Sequence, residues 1–263
     1  MLLTLALGIG ANTAIFTVLN AVLLRPLPFP ESDRLVAIRE TFGQALEGSV
    51  AGPNVVDWRL RSHSFSGMLA FRASSRALVG DGEPEQVFTA MVSADFFRTL
   101  GVAPALGRGF ADGEDQGVGT VAVLSDGLWR SRYGADPGII GRTITLSGQP
   151  YTVVGVAPPG FTYPGNAVAW LPLEYGLGRS AQRSSHSYDV VGRLAPGVTL
   201  EAAQADLAAV ARALEKENPV DNGGRGALVV PLAADTVRAA RPVLLLLGGS
   251  ALFVLLIACA NVA

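Results

Sequence analysis

Ser185-His186-Ser187-Tyr188-Asp189 puts a hydroxyl nucleophile, an imidazole base and a carboxylate into one short run, the residue types of a hydrolase triad. Consecutive residues on a strand point to opposite faces, so such a run cannot converge on one reacting atom. No G-x-S-x-G elbow accompanies it, and the run reads as an exposed strand entry. His63 and His186 are the two histidines, and neither has a Cys or second His at ligand spacing, which argues against zinc. Asp112, Glu114 and Asp115 form an acidic run without the alternating ligands and terminal glutamate of a calcium loop, so they read as a solvated loop. Asn222-Gly223-Gly224-Arg225-Gly226 follows a predicted helix and precedes a predicted strand, the reverse of a phosphate cradle, and reads as a flexible turn. Lys216 lies in a predicted helix with no glycine loop before it, and no G-x-x-x-x-G-K-[ST] occurs. Any nucleotide hydrolysis therefore belongs to another chain or another region. Trp58, Trp129 and Trp170 read as core residues. The residues assemble no catalytic set, cofactor site or metal site, and the chain is not expected to be an enzyme.

The elements that carry these residues lie between two apolar ends. The chain has 263 residues, 49% hydrophobic and 16% charged, with a net charge of −2 and a mean hydropathy of +0.37, high for a soluble protein. No charge occurs from Leu2 to Leu24 or from Val243 to Ala263; every charge lies between Arg25 and Arg241. Each end is long enough to cross a hydrocarbon core of about 30 Å as a helix. A signal peptide would begin with basic residues before a shorter apolar run, and none precede this one. Neither end carries a basic flank on its outer side, so both are expected to continue in a longer protein, and the positive-inside rule cannot orient them. Ala6, Gly10 and Ala14 recur at four-residue spacing, which suits close helix packing in lipid. Asn12 and Asn20 are costly against lipid and are expected to face another helix, with Gly248, Gly249 and Asn261 comparable in the second span. No basic stripe suggests nucleic acid, and the single Cys259 excludes an intrachain disulfide.

Between the spans, RLVAIRET predicts a strand and Pro53-Asn54 opens a helix carrying Val55, Val56, Trp58 and Leu60. SFSGMLAFR continues the apolar pattern towards Arg72. Two strands flank the turn Gly80-Asp81-Gly82. Ser93 is expected to cap a short helix ending at Gly101, and Ser125 a second, in which Trp129 and Tyr133 share a face. Ile144 and Leu146 alternate against Tyr151 and Val153 across Gly148 as a hairpin, SYDVVGRL is a strand, and Thr199 caps a helix patterned by Leu200, Ala203, Leu207, Val210 and Leu214. ALVVPLA is the last strand. The mixture predicts an α+β or mixed α/β domain.

The stretches RPLPFPESDRLVAI, VSADFFRTLGVAPALGRGFADGED, VAVLSDGLWRSRYGADPGIIGRTITLSGQPYTVVGVAPPGF and DVVGRLAPGVTLEAAQADL resemble the periplasmic core domain of MacB-like permeases. This superfamily also holds the lipoprotein-release and FtsX-type permeases, and LALGIGANTAIFTVLNAVLLRPLPFP is similar to its duplicated-permease branch. The resemblance implies a transmembrane helix over 2–24, a periplasmic domain over 25–241 and a second, truncated transmembrane helix over 243–263. Within the domain it implies a mixed α/β subdomain from about 32–95 and 186–236, with a β-rich insert over about 96–185. It further implies a multi-pass protein of the bacterial inner membrane with the large domain outside. The implied partners are a cytoplasmic ABC ATPase, a second permease half or identical copy, the lipid bilayer, and a periplasmic adaptor or substrate protein. ATP-driven motion would pass through the membrane helices to export or release in the periplasm. The family has four membrane helices per half, of which two are visible here. The competing expectation is a membrane-tethered binding or sensor domain with no transport role. Nothing in the sequence names a substrate.

Overall fold

β1 (Leu35–Phe42) and β12 (Arg225–Pro231), the first and last strands of the domain, are neighbours in one sheet. In this computed structural model the structure describes residues 10, 13, 17, 27–43, 46–80, 82–117, 120–174, 177, 182–238 and 240–260, with backbone only at 241, 254, 255 and 257–260. Between β1 and β12 come β2 (Leu46–Gly48), β3 (Val50–Ala51), α1 (Gly52–Arg61), β4 (Phe65–Val79), β5 (Glu85–Val92), α2 (Phe96–Leu100) and β6 (Leu106–Gly107). β7 (Val121–Leu124), α3 (Asp126–Tyr133), β8 (Thr143–Leu146), β9 (Gln149–Val156) and β10 (Ala169–Pro172) follow. β11 (His186–Leu194), α4 (Leu200–Glu217) and α5 (Pro219–Asn222) lead into β12, and α6 (Leu232–Thr236) and α7 (Arg241–Ala260) come after it. Among the described residues twelve strands form the sheet, ordered β12-β1-β11-β4-β5-β10-β7-β9-β6, with β2, β3 and β8 paired off this path.

The chain divides into two units, Phe29–Val230 and the end segments Met1–Pro28 with Pro231–Ala263. The first unit has two apolar clusters. One gathers Val36, Ile38, Val55, Trp58, Met68, Val190 and the inward face of α4; the other gathers Leu78, Leu124, Ile144, Leu146, Tyr151 and Val153. β4 is long enough to serve both, giving Met68 and Ala70 to the first and Leu78 to the second.

The predicted caps and periods mostly form. Ser125 Oγ accepts from Leu128 N at 3.1 Å and Thr199 Oγ1 from Ala202 N at 3.2 Å. Ala203, Leu207, Val210 and Leu214 are buried along α4, and Ile144 faces Tyr151 across the β8–β9 hairpin. Three expectations change. Leu60 is 75% exposed, because α1 is docked through Val55 and Trp58 and Leu60 falls on its outer side. The apolar run SFSGMLAFR starts β4, the chain having turned extended at Ser62. Ser93 does not cap α2, which begins at Phe96 after Asp95 with no side-chain cap. Its hydroxyl instead accepts from Ala70 N and Arg59 Nη2, both at 3.0 Å, and donates to Asp95 at 2.6 Å.

Among the described residues no helix is long and apolar enough to cross a membrane. The stretch 2–24, with Ala6, Asn12, Ala14 and Asn20, lies outside the described residues apart from Gly10, Thr13 and Thr17, which are helical. Asn261 also lies outside them, and Gly248 and Gly249 fall within α7.

Candidate functional site

β1 sends Val36, Ile38 and Glu40 to the same face, so the strand pattern that drives two aliphatic side chains into the first core also drives a carboxylate there. Glu40 is 1% exposed. An ionised carboxylate there needs partners, and four elements supply them. Its Oε1 accepts from Asn54 Nδ2 on α1 at 2.6 Å and from Ala51 N at 3.4 Å. Its Oε2 lies 2.9 Å from His186 Nε2 on β11 and 3.6 Å from Arg225 Nη1 on β12.

The same pocket fixes its neighbours. His186 Nδ1 lies 2.9 Å from Ser184 O, which makes that nitrogen the donor, and Nε2 then accepts from Arg225 Nη1 at 2.6 Å. This tautomer leaves Glu40 Oε2 close to the ring without an aligned donor, and Oε2 has no hydrogen-bond partner among the described residues. Burial accordingly pushes the Glu40 carboxyl above its usual range, against the opposing pull of Asn54, His186, Ala51 N and Arg225. The Arg225 guanidinium lies over the Phe42 ring at 4.5 Å and donates from Nε to Asp221 O.

Asn54 extends the cluster. Its Nδ2 donates to Asn222 Oδ1 at 3.1 Å, and its Oδ1 accepts from Arg183 Nη1 at 2.5 Å. Arg183 also pairs with Asp57 at 2.7 Å; Arg61 reaches Asp57 at 3.3 Å and clasps Glu217 of α4 with contacts of 2.7 and 2.8 Å. Glu40, Asn54, Trp58, Asn222 and Arg225 line a cavity of about 10 Å³, roughly one water's worth. The cluster holds no nucleophile poised beside a base, and among the described residues no group of His, Cys, Asp and Glu could hold a metal. What it does is clamp the first strand, the last strand and the helices over them.

The residues singled out in the sequence fare differently. Asp189 is exposed while His186 is drawn inward, so the Ser-His-Asp run does not converge. In the acidic loop, Asp112 and Glu114 pair with Arg98 and Arg108, but Asp115 is buried and accepts from Ala94 N at 3.0 Å, which corrects the reading of a fully solvated loop. Trp58 and Trp170 are core and Trp129 packs beside it. The supposed flexible turn supplies Asn222 and Arg225 to the cluster. Sequence reasoning missed Glu40; the available signal was a carboxylate in step with Val36 and Ile38.

A mixed α/β domain whose chain enters and leaves through adjacent strands is the class this fold defines. Residues 1–210 match the model of the MacB-like periplasmic core domain, and the chain belongs to that family. It thus carries the extracytoplasmic domain of the MacB-like ABC permeases, a family of transporter components rather than classical enzymes that implies an ATPase partner and dimerisation. Solved structures share the fold. A domain of a candidate permease from Porphyromonas gingivalis superposes with a TM-score of 0.60 at 17% identity, covering 78% of this chain and 92% of its own. The periplasmic region of MacB from Actinobacillus actinomycetemcomitans gives 0.54 at 13%, covering 87% and 98%. The extracellular domain of the noncanonic ABC-type transporter YknZ from Gram-positive bacteria gives 0.53 at 12%, covering 74% and 99%. No curated protein sequence matches the chain.

Proposed function

We propose that this domain transmits ATP-driven motion of membrane helices to export or release outside the membrane. The observation that carries this reading is the adjacency of β1 and β12, clamped through Glu40, His186 and Arg225. A push or twist delivered at either end of the domain enters neighbouring strands of one sheet, where a buried clamp resists their separation. On this reading residues 2–24 and 243–263 are the spans of a multi-pass inner-membrane protein. The exposed Leu245, Leu246, Leu252, Phe253 and Leu256 of α7 suit contact with lipid. Ala6, Gly10, Ala14, Gly248 and Gly249 would allow close helix packing, with Asn12 and Asn20 turned to a neighbouring helix. The domain comprises a subdomain from about 32–95 and 186–236 and an insert over about 96–185, a division supported by the two apolar clusters. The partners are a cytoplasmic ABC ATPase, a second permease half or identical copy, and a periplasmic adaptor or substrate protein.

The test uses the full membrane protein with its copurifying ATPase, spin-labelled at exposed Leu60→Cys and Val220→Cys in a Cys259→Ser background. An ATP-dependent change in the interlabel distances between copies, diminished by Arg225→Ala, is the expected result. Distances indifferent to nucleotide in the unmutated clamp would overturn coupling and leave a membrane-tethered binding domain.

A further inference from the structure

Between the two apolar clusters, the face of β4 that carries Met68, Ala70 and Leu78 carries Arg72, Ser74 and Arg76. Alternation along the strand makes this placement unavoidable, and it sets two guanidiniums on one face, four residues apart. Arg72 Nη2 lies 3.3 Å and Arg76 Nη2 3.5 Å from the same atom, Met91 Sδ, so the two nitrogens are within 6.8 Å of each other. Met91, on β5, is the cross-strand partner of Arg72 and is itself buried. A thioether is a weak acceptor and carries no charge.

Among the described residues one carboxylate answers these two cations: Glu174 lies 3.3 Å from Arg76, at the long end for a charge-assisted hydrogen bond. Among the described residues Arg72 has no carboxylate partner. The Nε atoms of both arginines are buried and without a hydrogen-bond partner. The Arg76 side chain is 16% exposed, which limits access to a small group. Two like charges gathered on a neutral sulfur, with donors left over, match an oxyanion, whose oxygens accept from guanidinium forks bidentately.

We propose that Arg72 and Arg76 bind an oxyanion, a phosphate or carboxylate group, in the seam between the two apolar clusters. The bound anion bridges the two guanidiniums and receives the donors that Met91 and Glu174 leave unsatisfied. The site is independent of the Glu40 clamp and of the transmission reading.

The probe is inorganic phosphate, titrated at constant ionic strength against chloride with the full chain in phosphatidylcholine nanodiscs. The expected result is a saturable rise in thermal midpoint of about 2–4 °C, lost in Arg72→Gln and kept in Arg98→Gln, a control at an exposed pair. Arg72 is half-buried, so its variant is first compared with the unmutated chain by circular dichroism. If it does not fold, the Nε–H resonances of the two arginines in the unmutated chain give the reading, and saturable phosphate-dependent shifts at both support the site. Parallel measurements in phosphatidylglycerol nanodiscs identify the source: the same shifts there without added phosphate assign the anion to a lipid headgroup, and shifts with phosphate alone assign it to a free anion. Unsaturating rises shared equally by Arg72→Gln, or unmoved Nε–H signals in both lipids, overturn the proposal.

Discussion

The Glu40 carboxylate lies 2.9 Å from the His186 ring, although the two residues come from the first strand of the domain and one of its last. That contact, with Arg225 beside it, gathers β1, β11 and β12 into one buried cluster near the end of β1 and the start of β12.

Glu40 makes this closure pH-dependent. Burial raises its folded-state pKa above the unfolded value, so its favourable contribution is complete below the unfolded pKa and is lost as pH rises through the folded one. Urea unfolding of the unmutated chain and Glu40→Gln, from the ordinary glutamate range up to pH 8, should show the unmutated chain losing ground to the variant as pH rises. A difference that does not vary with pH would refute this assignment.

Asp206 behaves in the opposite sense. From α4 it accepts from Ser62 Oγ at 2.6 Å, His63 N at 2.9 Å and Ser64 N at 3.0 Å, holding the turn between α1 and β4. Burial disfavours its charge, but these hydrogen bonds outweigh that and hold its carboxyl below the usual range. Its stabilising contribution is therefore present above the unfolded pKa and is lost as pH falls through the folded one. Asp206→Ala should cost about 2–3 kcal/mol at neutral pH, measured by denaturant unfolding, and much less in acid.

Two helix leucines, Leu207 of α4 and Leu60 of α1, separate core from surface. Leu207→Ala removes a fully buried side chain from the first cluster and should cost about 2–5 kcal/mol. Leu60→Ser, on the outer side of α1, should change stability by about 0.5 kcal/mol or less. Comparable losses at the two positions would contradict the orientation of α1.

Gly155 tests the approach of the Arg108 segment to β9. A Cβ at this position would lie 3.1 Å from the Arg108 carbonyl carbon and closer still to its oxygen, and this is backbone, pinned to β9 by Arg108 N donating to Val154 O at 2.9 Å. Gly155→Ala should destabilise by about 1–3 kcal/mol, seen as a lower denaturation midpoint, whereas Gly127→Ala, whose Cβ would meet only Ser125 Oγ at an ordinary 3.9 Å, should not strain the fold by contact.

Much of the architecture was legible because it is local. Period-two alternation in SYDVVGRL, the Ser125 and Thr199 caps, and the period of α4 from Ala203 to Leu214 depend on residues within a few positions of one another, and each forms as expected. The same local logic ruled out a hydrolase triad at Ser185–Asp189. It failed at Ser93, whose cap-like setting was overridden by Ala70, Arg59 and Asp95, and at SFSGMLAFR, whose apolar content fits a helix or a strand until a neighbouring strand is present.

The sequence by itself determined the charge-free ends, the mixture of helices and strands, and the family, because each is written in composition or in contiguous residues. Only the tertiary structure decided that β12 lies beside β1, that Glu40, Asn54, His186 and Arg225 share one pocket, and that Arg72 and Arg76 converge on Met91. The physical reason is that pairing strands across nearly the whole domain depends on packing and hydrogen bonding summed over the sheet, and buried charges find their partners only once that sheet has closed.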